Sequence, residues 1–119
     1  AVDLASGAAE RLPQPDDIAT GAVDGLYFYA GDLIGVQNFI CPGRVVRISL
    51  SDTADRIEGL QVLQTHHATL DEPTTGAIVG EHLHVIANSS VALVQPDGSL
   101  RDQAPIKPAA IVAVPLERG

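Results

Sequence analysis

The chain has 119 residues, of which 45% are apolar and only 3% aromatic, and its 15 acidic and 7 basic residues give a net charge of −8. The apolar share is sufficient for a packed domain and excludes a disordered chain. The negative charge repels phosphate backbones, so nucleic acid is not expected as a partner. No apolar run approaches the roughly 20 residues of a membrane span, so no membrane partner is expected either.

Residues 1–22 are predicted to hold the last strands of a hairpin, followed by a loop. Short apolar runs flank the turn Ala5-Ser6-Gly7, and Pro13 and Pro15 then indicate a loop, because proline cannot donate to a strand ladder. The chain begins with Ala1 rather than Met. We therefore expect it to be a processed or fragmentary piece of a longer protein, with residues 1–22 holding the last strands of a preceding blade plus a loop.

Residues 23–63 carry four short apolar runs and are predicted to form four consecutive antiparallel strands. The first two runs flank Ala30-Gly31, whose glycine can adopt a positive φ, and this spacing is typical of a β-hairpin. The third run follows Pro42-Gly43, and the fourth follows a polar turn. Four such strands make one complete blade of a β-propeller.

Residues 64–119 repeat this pattern with one strand fewer. A loop leads into a second hairpin around Gly80, and the turn Pro96-Asp97-Gly98 precedes a final apolar run over 110–116. We interpret this segment as a final blade that lacks its closing strand and carries an insertion near 89–109.

An internal repeat decides between the architectures that short strands allow. Leu33 and Leu83 are 50 residues apart, as are Asn38 and Asn88, and the third strands recur 66 residues apart as Ile48-x-Leu50 and Val114-x-Leu116. A β-sandwich also uses short strands but predicts no such repeat. The predicted fold is therefore all-β: a partial β-propeller of about two to two-and-a-half four-stranded antiparallel blades.

A partial ring leaves strand edges and apolar faces uncovered at its two ends. The expected partners are therefore the remaining blades of the same protein or further copies of this chain. The single cysteine, Cys41, cannot form an internal disulfide, so the sequence leaves the compartment open between periplasmic, secreted and cytoplasmic.

Short motifs at fixed places in the predicted blade point to a family. They are Asp24-Gly25-Leu26, Gly31-Asp32-Leu33, Asn38 and Arg44-Val45-Val46-Arg47, with Thr74-Thr75-Gly76-Ala77 ahead of the second hairpin. The pattern resembles the blades of NHL-type and gluconolactonase-type six-bladed propellers. Within these it is most similar to the senescence-marker-protein/gluconolactonase family, near its C-terminus, over about residues 20 to 116.

The resemblance implies six blades around a channel that holds one divalent cation, calcium or zinc, and metal-dependent hydrolysis of a sugar lactone or related ester. It also implies that Asp24 binds the metal and takes part in acid–base chemistry. The family's other ligands would lie upstream of residue 1, so this chain alone is expected to be inactive. The alternative function is a non-catalytic propeller that binds a ligand or a protein partner across its channel face.

Hairpin geometry indicates the same residue independently of the family. The start of one strand and the end of its antiparallel partner lie at the same end of a hairpin, which places Asp24 beside Asn38 and Glu72 or Thr75 beside Asn88. We call this end of the hairpins the rim, and in the predicted propeller it would face the mouth of the central channel. Hard cations take several oxygen ligands. The predicted metal ligands are therefore Asp24, Asn38, Glu72 and Asn88, with a small molecule as the substrate.

The remaining reactive side chains are weaker candidates. His66 and His67 lie in a loop that should reach the same rim, but adjacent residues of an extended segment point to opposite sides, so joint binding of one metal is not expected. His82 and His84 are predicted at the surface of the opposite end. Cys41 has no basic neighbour in the sequence that would make it a catalytic thiol.

Overall fold

The computed structural model describes residues 1–101 and 105–117, which form two antiparallel sheets. The first sheet contains β1 (Val23–Tyr29), β2 (Asp32–Gln37), β3 (Arg44–Leu50) and β4 (Ile57–Gln64), in that order. The second contains β5 (Gly76–Val79), β6 (His82–Ile86) and β7 (Ile111–Pro115), also in order. Over these residues the prediction of an all-β fold is confirmed.

The one helical element within the described ranges is a short 3-10 helix at Val91–Leu93, in the connection between β6 and β7. None of the described residues belongs to a helix of the length and apolarity needed to cross a bilayer. The predicted insertion over 89–109 and the predicted final segment to 119 include residues 102–104 and 118–119, which lie outside the described part of the chain.

Both hairpins form where the sequence supplies turn residues. Ala30 and Gly31 have φ values of 50° and 89° between β1 and β2, the pair of positive values that suits the twist of a two-residue hairpin. The second hairpin turns at Gly80, with φ 59°. The predicted turn at Pro96-Asp97-Gly98 is also present, with Gly98 at φ 83° and an antiparallel bridge from Val94 to Leu100 across it.

Strand register confirms the repeat that the sequence predicts. Leu33 pairs with Ile48 in the first sheet, and Leu83 pairs with Val114 in the second. The first and second strands therefore repeat at an interval of 50 residues and the third at 66. The extra residues lie between β6 and β7.

Each sheet has two faces, and equivalent residues of the two repeats lie on equivalent faces. We call the side of a sheet that carries Phe28, Leu33 and Ile48, or their equivalents Ile78, Leu83 and Val114, its leading face. The opposite side is its trailing face, which carries Tyr27, Ile34 and Val36 in the first sheet and the equivalents Ala77, His84 and Ile86 in the second. Assignment to a face follows from the register, because paired residues lie on the same side of a sheet.

The core lies between the trailing face of the first sheet and the leading face of the second. Its buried members are Ile34, Val36 and Val45 from the first sheet, Leu70 from the connecting loop, and Leu83, Val85, Ala87, Val114 and Leu116 from the second. Equivalent residues thus occupy different interfaces, and the repeats are stacked head to tail. The contact is not a symmetric one between two like faces.

Two polar side chains of the first sheet reach across this interface to the main chain of the second. The Gly76 N–H donates to the Tyr27 hydroxyl at 2.6 Å. The Arg47 guanidinium donates to the Leu116 carbonyl and also to Asp32 at 3.0 Å, with both charged side chains only 3% exposed. It lies 6.0 Å from the centre of the Tyr29 ring. Loss of either bond would destabilise the fold, because a buried polar group that loses its hydrogen-bond partner keeps its full desolvation cost.

The N-terminal segment forms a small hairpin closed by a bridge between Val2 and Ala9. The chain then runs along the outer strand of the first sheet, where the Ile57 N–H donates to the Pro13 carbonyl at 2.8 Å. The turn predicted at Ala5-Ser6-Gly7 is thereby present. The assignment of residues 1–22 to a preceding unit stays a prediction.

Candidate functional site

Asp24 and Asn38 meet at one end of the first hairpin, as the sequence predicts. The Asn38 side-chain N–H donates to Asp24 Oδ2 at 2.7 Å. The register between β1 and β2 shifts from Val23–Gln37 to Gly25–Val36, so Asp24 is the extra residue of a β-bulge. A bulge removes a residue from the regular alternation of faces and re-aims its side chain. This explains how the Asp24 carboxylate turns toward the rim.

The residue after Asp24 must be small, because the second repeat passes close to it. A Cβ atom on Gly25 would lie 2.9 Å from the Thr74 carbonyl oxygen and 2.9 Å from the Tyr27 hydroxyl. Such distances are shorter than van der Waals contact, so glycine at this position lets the bulge lie against the start of β5. Stacking of the two sheets and placement of Asp24 are therefore linked.

One polar atom at this rim has no partner among residues 1–101 and 105–117. Asn38 Oδ1 is buried and accepts no hydrogen bond there. Buried carbonyl oxygens normally contact a donor, a water or an ion. The Asp24–Asn38 pair thus presents a carboxylate and an unsatisfied amide oxygen close together, and both are ligand types that a hard cation takes.

Glu72 and Asn88 are also neighbours, as predicted, and are joined by a parallel bridge. Their side chains hold the main chain in place. Asn88 donates to the Pro108 carbonyl at 2.8 Å and accepts from the Ala110 N–H at 2.9 Å. Glu72 Oε1 accepts from the Ala92 N–H at 3.0 Å in the 3-10 helix. These bonds give both residues a structural use, and their metal-binding role stays a prediction.

A shallow cleft of about 450 Å³ separates the two hairpin ends. Its polar lining includes Asn38 from the first repeat and Asp71, Glu72 and Lys107 from the second. Lys107 bonds Asp71 at 2.5 Å, but both side chains are more than half exposed, so this pair adds little to stability. Within the described residues, no group of three or more His, Cys, Asp or Glu side chains is placed to hold a metal ion.

The two histidines of the loop after β4, His66 and His67, have different surroundings. His67 Nδ1 accepts from the Thr69 N–H at 3.2 Å, whereas His66 lines a separate small cleft with Cys41 and Arg44. His82 and His84 lie on β6, with ring centres 6.4 Å apart. His82 is exposed and His84 is half-buried, so the prediction of surface positions fits their placement.

Sequence reasoning missed the buried ion pair of Asp32 and Arg47. A signal was present, because each charged residue stands directly beside apolar runs, in Asp32-Leu33-Ile34 and Val45-Val46-Arg47-Ile48. A charge within a core strand requires a buried partner. This pair and Tyr27 join the two repeats across their interface.

Comparison with known proteins gives no relative: no protein-family model matches the chain, and no curated protein or solved structure matches it.

Proposed function

We propose that this chain forms two neighbouring blades of a gluconolactonase-like β-propeller, which when complete hydrolyses a sugar lactone or related ester with the help of a divalent cation. The head-to-tail stacking of the repeats supports the propeller. One face of each repeat fits the opposite face of the next, so the same step can be applied again. Repeated head-to-tail contacts close into a ring when the rotation per step allows it.

The observation that carries the proposed activity is the Asp24–Asn38 pair. Its 2.7 Å hydrogen bond orients the carboxylate, and the buried Asn38 Oδ1 beside it has no partner among the described residues. A carboxylate and an amide oxygen fit calcium better than zinc, which prefers nitrogen and sulfur. A cation bound there would polarise the lactone carbonyl. Asp24 would accept the proton of the attacking water, while Asn38 keeps its carboxylate in place.

The pair supplies only two of the six to eight oxygen ligands that calcium takes. Glu72 and Asn88 are held by main-chain bonds to Ala92, Pro108 and Ala110. We therefore assign the remaining ligands to water and to further blades, contributed by the same protein or by other copies of the chain.

A second candidate is a non-catalytic propeller that binds a ligand or a protein. It is favoured by the same main-chain bonds, because they use one oxygen of the Glu72 carboxylate and both polar atoms of the Asn88 amide within the second repeat. In that case the 450 Å³ cleft would hold a ligand without converting it.

The test is a calcium titration by calorimetry, together with a lactone hydrolysis assay, on the complete gene product. Asp24→Asn should weaken calcium binding at least tenfold and lower kcat/KM by about 10²–10⁴-fold, the range that general acid–base groups supply. Asp52→Asn is the matched control, since it removes the same charge from an exposed turn. Calcium binding without turnover would favour the second candidate. If Asp24→Asn keeps both calcium binding and turnover, the assigned site is refuted.

A further inference from the structure

The two faces that do not take part in the internal stack remain partly uncovered. On the leading face of the first sheet, Leu26 is 55% and Phe28 is 69% exposed. On the trailing face of the second sheet, Val79 is 63% and Ile111 is 65% exposed. Large apolar side chains that are adjacent on one surface, such as Leu26 and Phe28, mark an interaction site more often than scattered ones do.

These two faces are equivalents of the faces that already pack together inside the chain. Phe28 corresponds to Ile78, which packs against the internal core, and Val79 corresponds to Tyr29, which packs against the same core from the other side. The uncovered leading face of the first sheet is therefore equivalent to the leading face of the second sheet, which packs on a trailing face inside the chain. The internal interface is a template for a second contact of the same kind.

We propose that a second copy of this chain docks head to tail, placing the leading face of its first sheet on the trailing face of the second sheet of its neighbour. The inner part of the leading face, on β1, makes the contact, because Val46 and Ile48 farther out are already buried within one chain. The contact is heterologous, since the two copies use different surfaces. The proposal rests on the repeated stacking that the proposed function also uses, but not on the lactone chemistry.

Sedimentation velocity of the purified chain tests this docking. The wild-type chain should show species heavier than 12.4 kDa that grow with concentration. Phe28→Glu on β1 removes the leading face and Val79→Glu on β5, the equivalent strand of the second sheet, removes the trailing face, so each variant alone should be monomeric. Because each keeps the face that the other lacks, their mixture should form a one-to-one complex of twice the monomer mass.

Phe39→Glu is the matched control, because Phe39 is 84% exposed but lies in the loop after β2, on neither face. It should associate as the wild type does. Circular dichroism checks that each variant keeps its strands, and Phe28→Gln with Val79→Gln repeats the test without added charge. A wild-type chain that stays monomeric overturns the proposal, as does a mixture of variants that forms no complex. Equal loss in Phe39→Glu would also overturn it. Calcium binding and lactone turnover are measured in separate experiments, so a negative result in those experiments does not change the interpretation of the sedimentation data.

Discussion

Replacement of Arg47 by Met tests whether the buried ion pair joins the two sheets. Arg47 is 2% exposed, bonds Asp32 at 3.0 Å and donates to the Leu116 carbonyl of the second sheet. The substitution removes the guanidinium that bonds the buried Asp32 carboxylate, while the bond from the Leu50 N–H to Asp32 at 3.2 Å is kept. Breaking a buried pair on one side costs about 3–5 kcal/mol.

This cost is a large share of the roughly 5–15 kcal/mol by which a domain is stable. Urea unfolding followed by circular dichroism measures it. Arg56→Met is the matched control, because Arg56 bonds Glu58 at 2.6 Å with both side chains about half exposed, and such pairs contribute about 1 kcal/mol or less. The double variant Asp32→Asn with Arg47→Met should recover part of the loss, since no charge is then left buried. A loss in Arg47→Met no larger than that in Arg56→Met would refute this account.

Two further predictions concern local contacts. Gly25→Ala should destabilise the chain by about 1–3 kcal/mol, the cost of overpacking, because the added Cβ would lie 2.9 Å from the Thr74 carbonyl oxygen. Gly59→Ala is the control and should be neutral or slightly stabilising, because a Cβ there would have no atom within 4 Å. Thermal unfolding of the two variants compares their stabilities. Hydrogen bonds from Ser99 lower the pKa of Asp97 below its ordinary value of 3.8, and the bond from the hydroxyl has a larger effect than the bond from the N–H. The stabilisation that these bonds give the turn is therefore present above pH 3.8 and is lost as the pH falls through the lowered pKa. Carboxyl NMR titration should show the Asp97 pKa rising in Ser99→Ala, and an unchanged value would contradict the assigned cause.

The course of the strands could be predicted from the sequence because turns and periodicity are local signals. Ala30-Gly31 set the first hairpin, and the recurrence of Leu33 as Leu83 gave the second repeat its register. Proximity of Asp24 and Asn38 followed from hairpin geometry alone. The bulge that re-aims Asp24 did not, because the pattern of apolar residues contains no mark of the register shift between Val23 and Gly25.

Side-chain partners across long separations could not be predicted. Asn88 is a predicted metal ligand, a role that stays a prediction, but the bonds of its side-chain amide to Pro108 and Ala110, at the far end of the insertion, were not foreseen. Glu72 likewise bonds the main chain of a 3-10 helix that no periodicity indicated. These choices depend on the path of the insertion, and the sequence contains no local signal for that path.

The bonds that cross between the sheets are unequal in one respect. Tyr27 and Arg47 contribute side chains, whereas Gly76 and Leu116 contribute only an N–H and a carbonyl. Nearly every amino acid carries those main-chain groups, so the two bonds themselves restrict the choice of amino acid only at Tyr27 and Arg47. Gly76 and Leu116 are restricted by space instead, because a Cβ on Gly76 would overlap the His84 carbonyl oxygen and the Leu116 side chain fills part of the core. One interface thus sets a chemical requirement on one sheet and a steric requirement on the other.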